Sequence, residues 1–468
     1  MRNTHPIDAA IDTHRADLIA LADQVWSTPE TLYQERESCA AHTATLRAKG
    51  FRVTEAVAGI PTAVMGEAGA GGPVIAILGE YDALPGLSQV AGIAEPRELV
   101  AGGAGHGCGH NLLGGAALLA ACAVKDWLEA TGTPGRVRYY GCPAEEGGAA
   151  KTFMVRDGAF DGVDAALCWH PDCVTRVADP WSLANTRMDF AFSGRASHAA
   201  MAPHLGRSAL DAVELMSVGV NYMREHMVQD ARVHYAYLDA GGMAPNVVQA
   251  RARVRYSIRA LKSSDMLALV ERVKDIARGA ALMTGTQVEM QVFSAVSSTL
   301  ANLTMDRLMH RVLEELGPVP FDEADRAYAS QIQATLSPED IAAPYRIVAM
   351  KPRPDTPLCD WVTPMRPGGE IVAGSTDVSD VTRIVPMTQC LVATHAIGTP
   401  GHSWQITAQG KSPAAHKGMT HAATAMARCA QELIADAALL AAAKAEHAEA
   451  LAEEPYICPI PPEVRPPL

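Results

Sequence analysis

The chain has 468 residues, of which 48% are hydrophobic and 19% charged, a balance that fits a globular protein of two or more domains and excludes large-scale disorder. A formal net charge of -13 without any basic run argues against nucleic acid or an anionic membrane surface as the main partner.

The N-terminal stretch "MRNTHPIDAAIDTHRADLIALADQV" lacks a continuous apolar core with a cleavage site, and no later segment reads as a membrane span, so a cytoplasmic protein is expected. Ten cysteines at irregular spacings, among them Cys39, Cys122, Cys168 and Cys390, read as reduced core residues rather than a disulfide framework. The glycine run "GEAGAGGP" at 66–73 precedes a strand instead of joining a strand to a helix, which is the wrong context for a dinucleotide site.

Three segments share one design, a short apolar run that ends in polar residues: "PVIAILGEYDALPG", "GRVRYYGCPAEEGG" and "DAALCWHPD". Each reads as a buried strand, with a helix over about 112–129 between the first two. The order strand, helix, strand predicts an α/β fold with a mostly parallel sheet flanked by helices. Sites on such sheets gather where strands end, which would bring Asp82, Cys108, His110, Glu145, Glu146 and His170 to one crevice.

From 186 to about 293 the pattern changes. "TRMDFAFSGR" reads as a strand, 207–226 as an amphipathic helix and "RVHYAYLDAGG" as a second strand. In "VVQARARVRYSIRAL", Ala250, Ala252, Val254, Tyr256 and Ile258 alternate with Arg251, Arg253, Arg255 and Arg259, the period of a half-buried strand. A helix over about 264–283 and the strand "TQVEMQVF" complete a βαββαβ order, an inserted ferredoxin-like α+β domain. The expected division is therefore 1–185 and 294–468 for the catalytic domain and 186–293 for the insert. One long helix is expected from about 413 to 445, and "KPRPDTP" and the tail "YICPIPPEVRPPL" read as surface loops.

"GHGCGHN" at 105–111 sets Cys108 and His110 two apart, where both side chains can point at one metal ion or can simply line a glycine-built turn. Glu145 and Glu146 are adjacent, so their side chains diverge: one carboxylate can bind metal while the other faces water, or both can be solvated. His170 offers a further nitrogen. A divalent metal lowers the pKa of bound water from about 15.7 toward about 7, and a neighbouring carboxylate can take the proton and pass it to a leaving amine.

In order and over nearly the whole chain, "GEYDALPG", "GHGCGHNLLG", "PAEEGG", "CWHPD" and "SGRASHAAMAPHLGRSALDAV" resemble the aminoacylase/carboxypeptidase metallopeptidases. The resemblance is to the amidohydrolase branch that includes hippurate hydrolase and the auxin-conjugate hydrolases. The later stretches "REHM", "GGMAPNVVQA", "GSTDVSDV", "GTPGHSWQ" and "AAHKGM" resemble the members of that branch that act on p-aminobenzoyl-glutamate.

The resemblance implies a zinc-peptidase-like catalytic domain with two divalent metal ions, and an inserted lid that also dimerises. It implies Cys108, His110, Glu146 and His170 as ligands and Glu145 as general base and acid. A fifth ligand is expected near the C-terminus, where His395, His402 and His416 compete; His402 is chosen because it lies in a loop ahead of the last helix. Asp82 is expected as a supporting carboxylate of the catalytic site. His198 and Asn246 are implied at the substrate carbonyl, supplied across a dimer, and Arg259 on a substrate carboxylate. Read without the family, His198 is a turn residue and Arg259 a solvated arginine.

The branch is associated with manganese, whereas a thiolate ligand favours zinc, so manganese is expected first and zinc second. The implied substrate is a small amide bearing a carboxylate, and the implied partner is a second copy or a homologous chain. Two readings compete with this one: a metal-silent partner chain, and a dipeptidase or N-acyl amino acid hydrolase of the same family. The presence of Glu145 with four ligand candidates favours an enzyme.

Overall fold

The computed structural model describes residues 5–178, 181–353, 355–366, 371–372 and 374–468. The first part of the chain runs through α1 (Pro6–Ser27), α2 (Arg36–Ala48), β1 (Arg52–Glu55), β2 (Val64–Ala70), β3 (Val74–Glu80), α3 (His110–Thr131), β4 (Gly135–Cys142), α4 (Ala150–Arg156), β5 (Ala165–Asp172) and β6 (Arg176–Val177). After β7 (Trp181–Ser182) come β8 (Ala184–Ser193), α5 (Ala209–Met223), β9 (Arg232–Asp239), β10 (Arg251–Ala260), α6 (Ser263–Thr284) and β11 (Gln287–Val296). The chain closes with α7 (Leu303–Leu316), α8 (Glu323–Gln333), α9 (Pro338–Ile347), β12 (Ile371–Val372), α10 (Val378–Thr382), β13 (Met387–Ala393), α11 (Trp404–Gln409), α12 (Pro413–Ala435) and α13 (Ala437–Glu453).

The large sheet has the order β1-β2-β4-β3-β5-β13-β6. Its centre, β4-β3-β5-β13, is parallel, and antiparallel pairs close both edges. Every residue of β3 is buried, as expected of a strand covered on both faces. One face packs on α1, α3, α7 and α12, and the other joins α4 and the inserted domain in a second core. Helix α3 is small-residue-rich because it lies close to the sheet: a Cβ on Gly114 would stand 2.6 Å from the Glu80 carbonyl oxygen. By length and composition α3 could cross a membrane, contrary to the reading of the sequence, but 89% of its apolar stretch is buried inside the fold.

The inserted sheet is antiparallel in the order β11-β8-β10-β9 with α5 and α6 on one face, which is the βαββαβ arrangement expected. Ala252, Val254, Tyr256 and Ile258 are buried, while Arg253 and Arg255 pair with Asp189 of β8 on the other face.

Two expectations need correction. The long C-terminal helix is two helices: Asp436 is extended, with φ -111° and ψ 94°, and its side chain accepts from the Ala438 and Leu439 amides to start α13. The tail is not a free surface loop. Ile460 is 1% exposed in the second core, Tyr456 donates to Asp380 at 2.9 Å, and Arg156 bonds the Pro461 and Val464 carbonyls. "KPRPDTP" has exposed residues at 351–353 and 355, and its residue 354 lies outside the described residues. Helices α8 and α9 were not anticipated, although each begins with a capping box, Asp322 with Asp325 and Ser337 with Asp340.

Candidate active site

The parallel strands end at one crevice because all four run in the same direction. Asp82 follows β3, Glu145 and Glu146 follow β4, and His170 stands near the end of β5. Gly109, at φ +78°, turns the chain between Cys108 and the first residue of α3, His110. The crevice opens into a cavity of about 530 Å³ lined by Cys108, Glu145, Glu146, His170 and His402 among others.

Two sets of donor atoms lie within 4.8 Å of one another: Cys108 with His110 and His170, and Cys108 with Glu146 and His402. Cys108 is common to both. Its Sγ lies 3.3 Å from His170 Nε2, and His402 Nε2 lies 3.3 Å from Glu146 Oε2. The unused ring nitrogens are committed outward. His110 Nδ1 donates to Asp82 Oδ1 at 2.9 Å and His170 Nδ1 to the Pro171 carbonyl at 2.8 Å, leaving both Nε2 atoms for the crevice. Such outward bonds fix the tautomer and ring orientation a metal ligand needs.

Burial works against a charged Cys108, but the His170 and His110 imidazoles outweigh it and hold the thiol well below its usual range. His402, bonded to Cys108 and Glu146, is pushed up to about 10. Burial opposes charge on His170 as well, yet Cys108 raises it to about 9. A divalent cation would replace the protons that these paired groups share. Two buried atoms, His110 Nε2 and Glu146 Oε1, have no hydrogen-bond partner among the described residues, and both belong to the donor sets. The thiolate, imidazole and carboxylate donors fit divalent transition metals.

Asp82 does two jobs: Oδ1 orients His110 and Oδ2 accepts from the Glu146 amide at 3.0 Å. It therefore ties the loop after β4 to the start of α3. His106, the first histidine of "GHGCGHN", is 1% exposed and bonds the Val25 carbonyl at 3.0 Å, outside the donor sets. Of the C-terminal histidines, His416 bonds Asp23 and His395 bonds Thr394; His402 alone of the three stands with Cys108 and Glu146.

The inserted domain does not bring all its candidates into the crevice of its own chain. His198 and Asn246 are exposed and lie side by side, with the Ala199 amide donating to the Asn246 carbonyl at 2.9 Å, and neither lines the cavity. Arg259 reaches further: its Nη1 donates at 3.0 Å to Ser375, which does line the cavity.

Sequence reading missed a buried set of charges beneath the crevice. Lys151 Nζ lies 2.6 Å from Glu80 Oε1 and 2.7 Å from Asp377 Oδ1, and Glu80 Oε2 is 3.3 Å from His110 Nε2. Glu80, His110 and Glu145 form a third close group. Burial first, then Glu80 and Asp377, push the Glu145 carboxyl well above its usual range, with Lys151 acting in the opposite sense. Glu35 was missed too; it is fully buried and accepts from the Tyr33 and Ala144 amides, holding the turn just before Glu145. The available signal was Glu80 itself, a charged residue closing an otherwise apolar strand.

The profile of peptidase family M20/M25/M40 matches residues 76–452. The chain is 47% identical over 471 aligned residues to the B component of p-aminobenzoyl-glutamate hydrolase from Escherichia coli, covering 98% of both chains. It is 28% identical to the A component of that hydrolase from the same organism, over half of this chain and 55% of the relative. A dinuclear metal binding peptidase of the M20 family from Bacillus subtilis shares the fold, with a TM-score of 0.58 at 18% identity, across 91% of this chain and 99% of the other. With the family profile running through both sheets and the donor residues, the chain belongs to peptidase family M20/M25/M40 and is a metallohydrolase.

Proposed function

We propose that this protein is a two-metal amidohydrolase that cleaves an N-aroyl amino acid, with p-aminobenzoyl-glutamate as its substrate. The observation that carries the reading is the meeting of five donors, Cys108, His110, Glu146, His170 and His402, in two sets that share Cys108, with Glu145 lining the same cavity. The specific substrate rests on the relative that matches 98% of the chain. Manganese is the first choice of metal and zinc the second.

When bound, the two metal ions acidify a water and polarise the scissile carbonyl. Glu145 takes the proton from the attacking water and returns it to the amine that leaves. Lys151, Glu80 and Asp377 hold the floor beneath Glu145, and Asp82 holds His110. Asp82→Ala should weaken metal affinity about 10-fold to 100-fold, because the ring of His110 loses its orienting partner. Calorimetric titration of manganese or zinc into metal-free protein checks this; equal affinities would remove Asp82 from the site's machinery.

In this reading 186–293 is a lid and dimerisation domain, and 1–185 with 294–468 is the catalytic domain. His198 and Asn246 serve the carbonyl in a neighbouring protomer, which agrees with their distance from their own crevice. Exposed Met201, Tyr222 and Met243 and the edge strand β9 offer the apolar surface a partner would cover. The partner is a second copy or a homologous chain; that two of the relatives are named as different components of one hydrolase supports the latter option. All ten cysteines are free thiols, in keeping with a cytoplasmic protein.

The test is release of glutamate from p-aminobenzoyl-glutamate by metal-loaded protein, alone and with a homologous partner chain. Metal-loaded protein that binds two ions and releases none from any aroyl or acyl amino acid would overturn the reading. Arg259 is proposed as the carboxylate anchor, since a guanidinium makes two parallel bonds that lysine cannot reproduce. Arg259→Lys should lower kcat/KM on the carboxylate substrate by at least about tenfold more than on the matching neutral amide. Equal losses on the two substrates would assign Arg259 to the fold or the interface.

A further inference from the structure

The cavity does not end at the donor residues. It continues along β13 to Thr388 and Gln389 and to Asp306 in the first turn of α7, between apolar walls from Trp181, Leu300 and Met387. Leu391 pairs with His170 in the sheet, and Thr388 lies three residues back along the strand, roughly 10 Å away at the rise of a β-strand. That separation is about the length of a para-substituted benzoyl group plus one hydrogen bond.

Asp306 is the acid at that far end. Thr388 Oγ1 donates to its Oδ1 at 2.6 Å, while Oδ2 accepts no hydrogen bond among the described residues. No cation pairs with it either among the described residues. Burial is the first cause that pushes its carboxyl up to about 7, with Glu446 adding to it and Thr388 opposing. Asp306 is half-buried and lines the cavity, so a carboxyl oxygen there without a donor is open to one from a ligand.

We propose that Asp306 is a specificity residue for the acyl half of the substrate, its carboxyl oxygen accepting a hydrogen bond from an amine placed para to the scissile carbonyl. The inference rests on the amidohydrolase reading above and names what that reading leaves open, which aroyl group is preferred. A para-substituted benzoyl group is a rigid rod, so a carbonyl held beside Glu145 sends its para substituent down the channel. The apolar walls take the ring faces, and Asp306 takes one amine hydrogen. A carboxylate at this end would meet Asp306 as a like charge, which directs the glutamyl half elsewhere. Arg176 also lines the cavity and, in the reverse placement, would be the group receiving that carboxylate.

The test compares p-aminobenzoyl-glutamate with 4-methylbenzoyl-glutamate, which keeps the shape and lacks the donor, in the metal-loaded parent and in Asp306→Asn and Asp306→Ala. The first variant preserves the shape of the side chain and an acceptor for Thr388; the second removes the group. The parent should favour the amine by about tenfold or more in kcat/KM, the factor expected for a hydrogen bond to a charged group. Both variants should lose about that factor more on the amine than on the methyl substrate, with thermal midpoints and metal content reported alongside. A parent that treats the two substrates alike would overturn the proposal, as would equal losses on both in the variants, which mark a structural role. Variants whose losses track the amino acid half instead would show that the glutamyl group occupies the channel. If the parent, alone and with a homologous partner chain, cleaves neither these two substrates nor any other aroyl or acyl amino acid, the amidohydrolase reading itself fails and this inference with it; cleavage of other amides but of neither of these overturns this inference alone.

Discussion

Glu145→Gln is expected to lower kcat by about 10³ while leaving both metal ions in place, because an amide cannot accept the proton of the attacking water. Glu145 lines the cavity and stands in the group with Glu80 and His110, but it belongs to neither of the two sets that share Cys108. Its loss should therefore separate turnover from metal content. Cys108→Ala provides the contrast: it removes the donor common to both sets and should lower metal stoichiometry along with activity. Steady-state kinetics and elemental analysis on the same preparations decide the matter. A Glu145→Gln protein within a few-fold of the parent would transfer the base to another group, and one that loses metal would make Glu145 a ligand.

The second large effect is on stability. Lys151 is fully buried, and its ammonium is bracketed by Glu80 and Asp377, both of which are buried as well. Burial alone would make such a lysine easier to deprotonate, yet the two carboxylates hold it charged, well above its usual pKa. Lys151→Met should cost about 3–5 kcal/mol, since removing one partner leaves two acids buried without compensation. Changing Asp377 to Asn in the same protein should return part of that loss, because it removes one stranded charge. Urea unfolding of the parent, the single and the double variant checks the sign of each step. A single variant as stable as the parent would mean that Glu80 and Asp377 are neutral in the fold and that Lys151 contributes only packing.

The consequence for the site is physical. The floor under Glu145 is built from three elements, the end of β3, the start of α4 and the residue before α10, and the lysine is the group that holds them together. Lys151 and Asp377 are 226 residues apart in the chain. Without that clamp, the carboxylates near Glu145 and His110 would repel one another.

What the sequence determined by itself was whatever is encoded over a few residues. The alternation of alanine, valine, tyrosine and isoleucine with arginine in β10 specified a half-buried strand, since side chains on a strand point to opposite faces. Apolar runs ending in polar residues specified buried parallel strands whose ends meet, which made Cys108, His110, Glu145, Glu146 and His170 candidates for one crevice while leaving their roles open. Only the tertiary structure decided the rest. It set His402 beside Glu146 and His416 beside Asp23, though both are histidines in the same C-terminal stretch. It placed Asp82 on His110, closed Lys151 between Glu80 and Asp377, and put Asp306 at the end of the channel. It also broke the last helix at Asp436 and folded the tail onto the second core. Each of these depends on which distant groups are brought within a hydrogen bond's length and how far water is excluded from them. A local pattern carries no record of either, because partner and burial belong to the packed chain and not to any short segment of it.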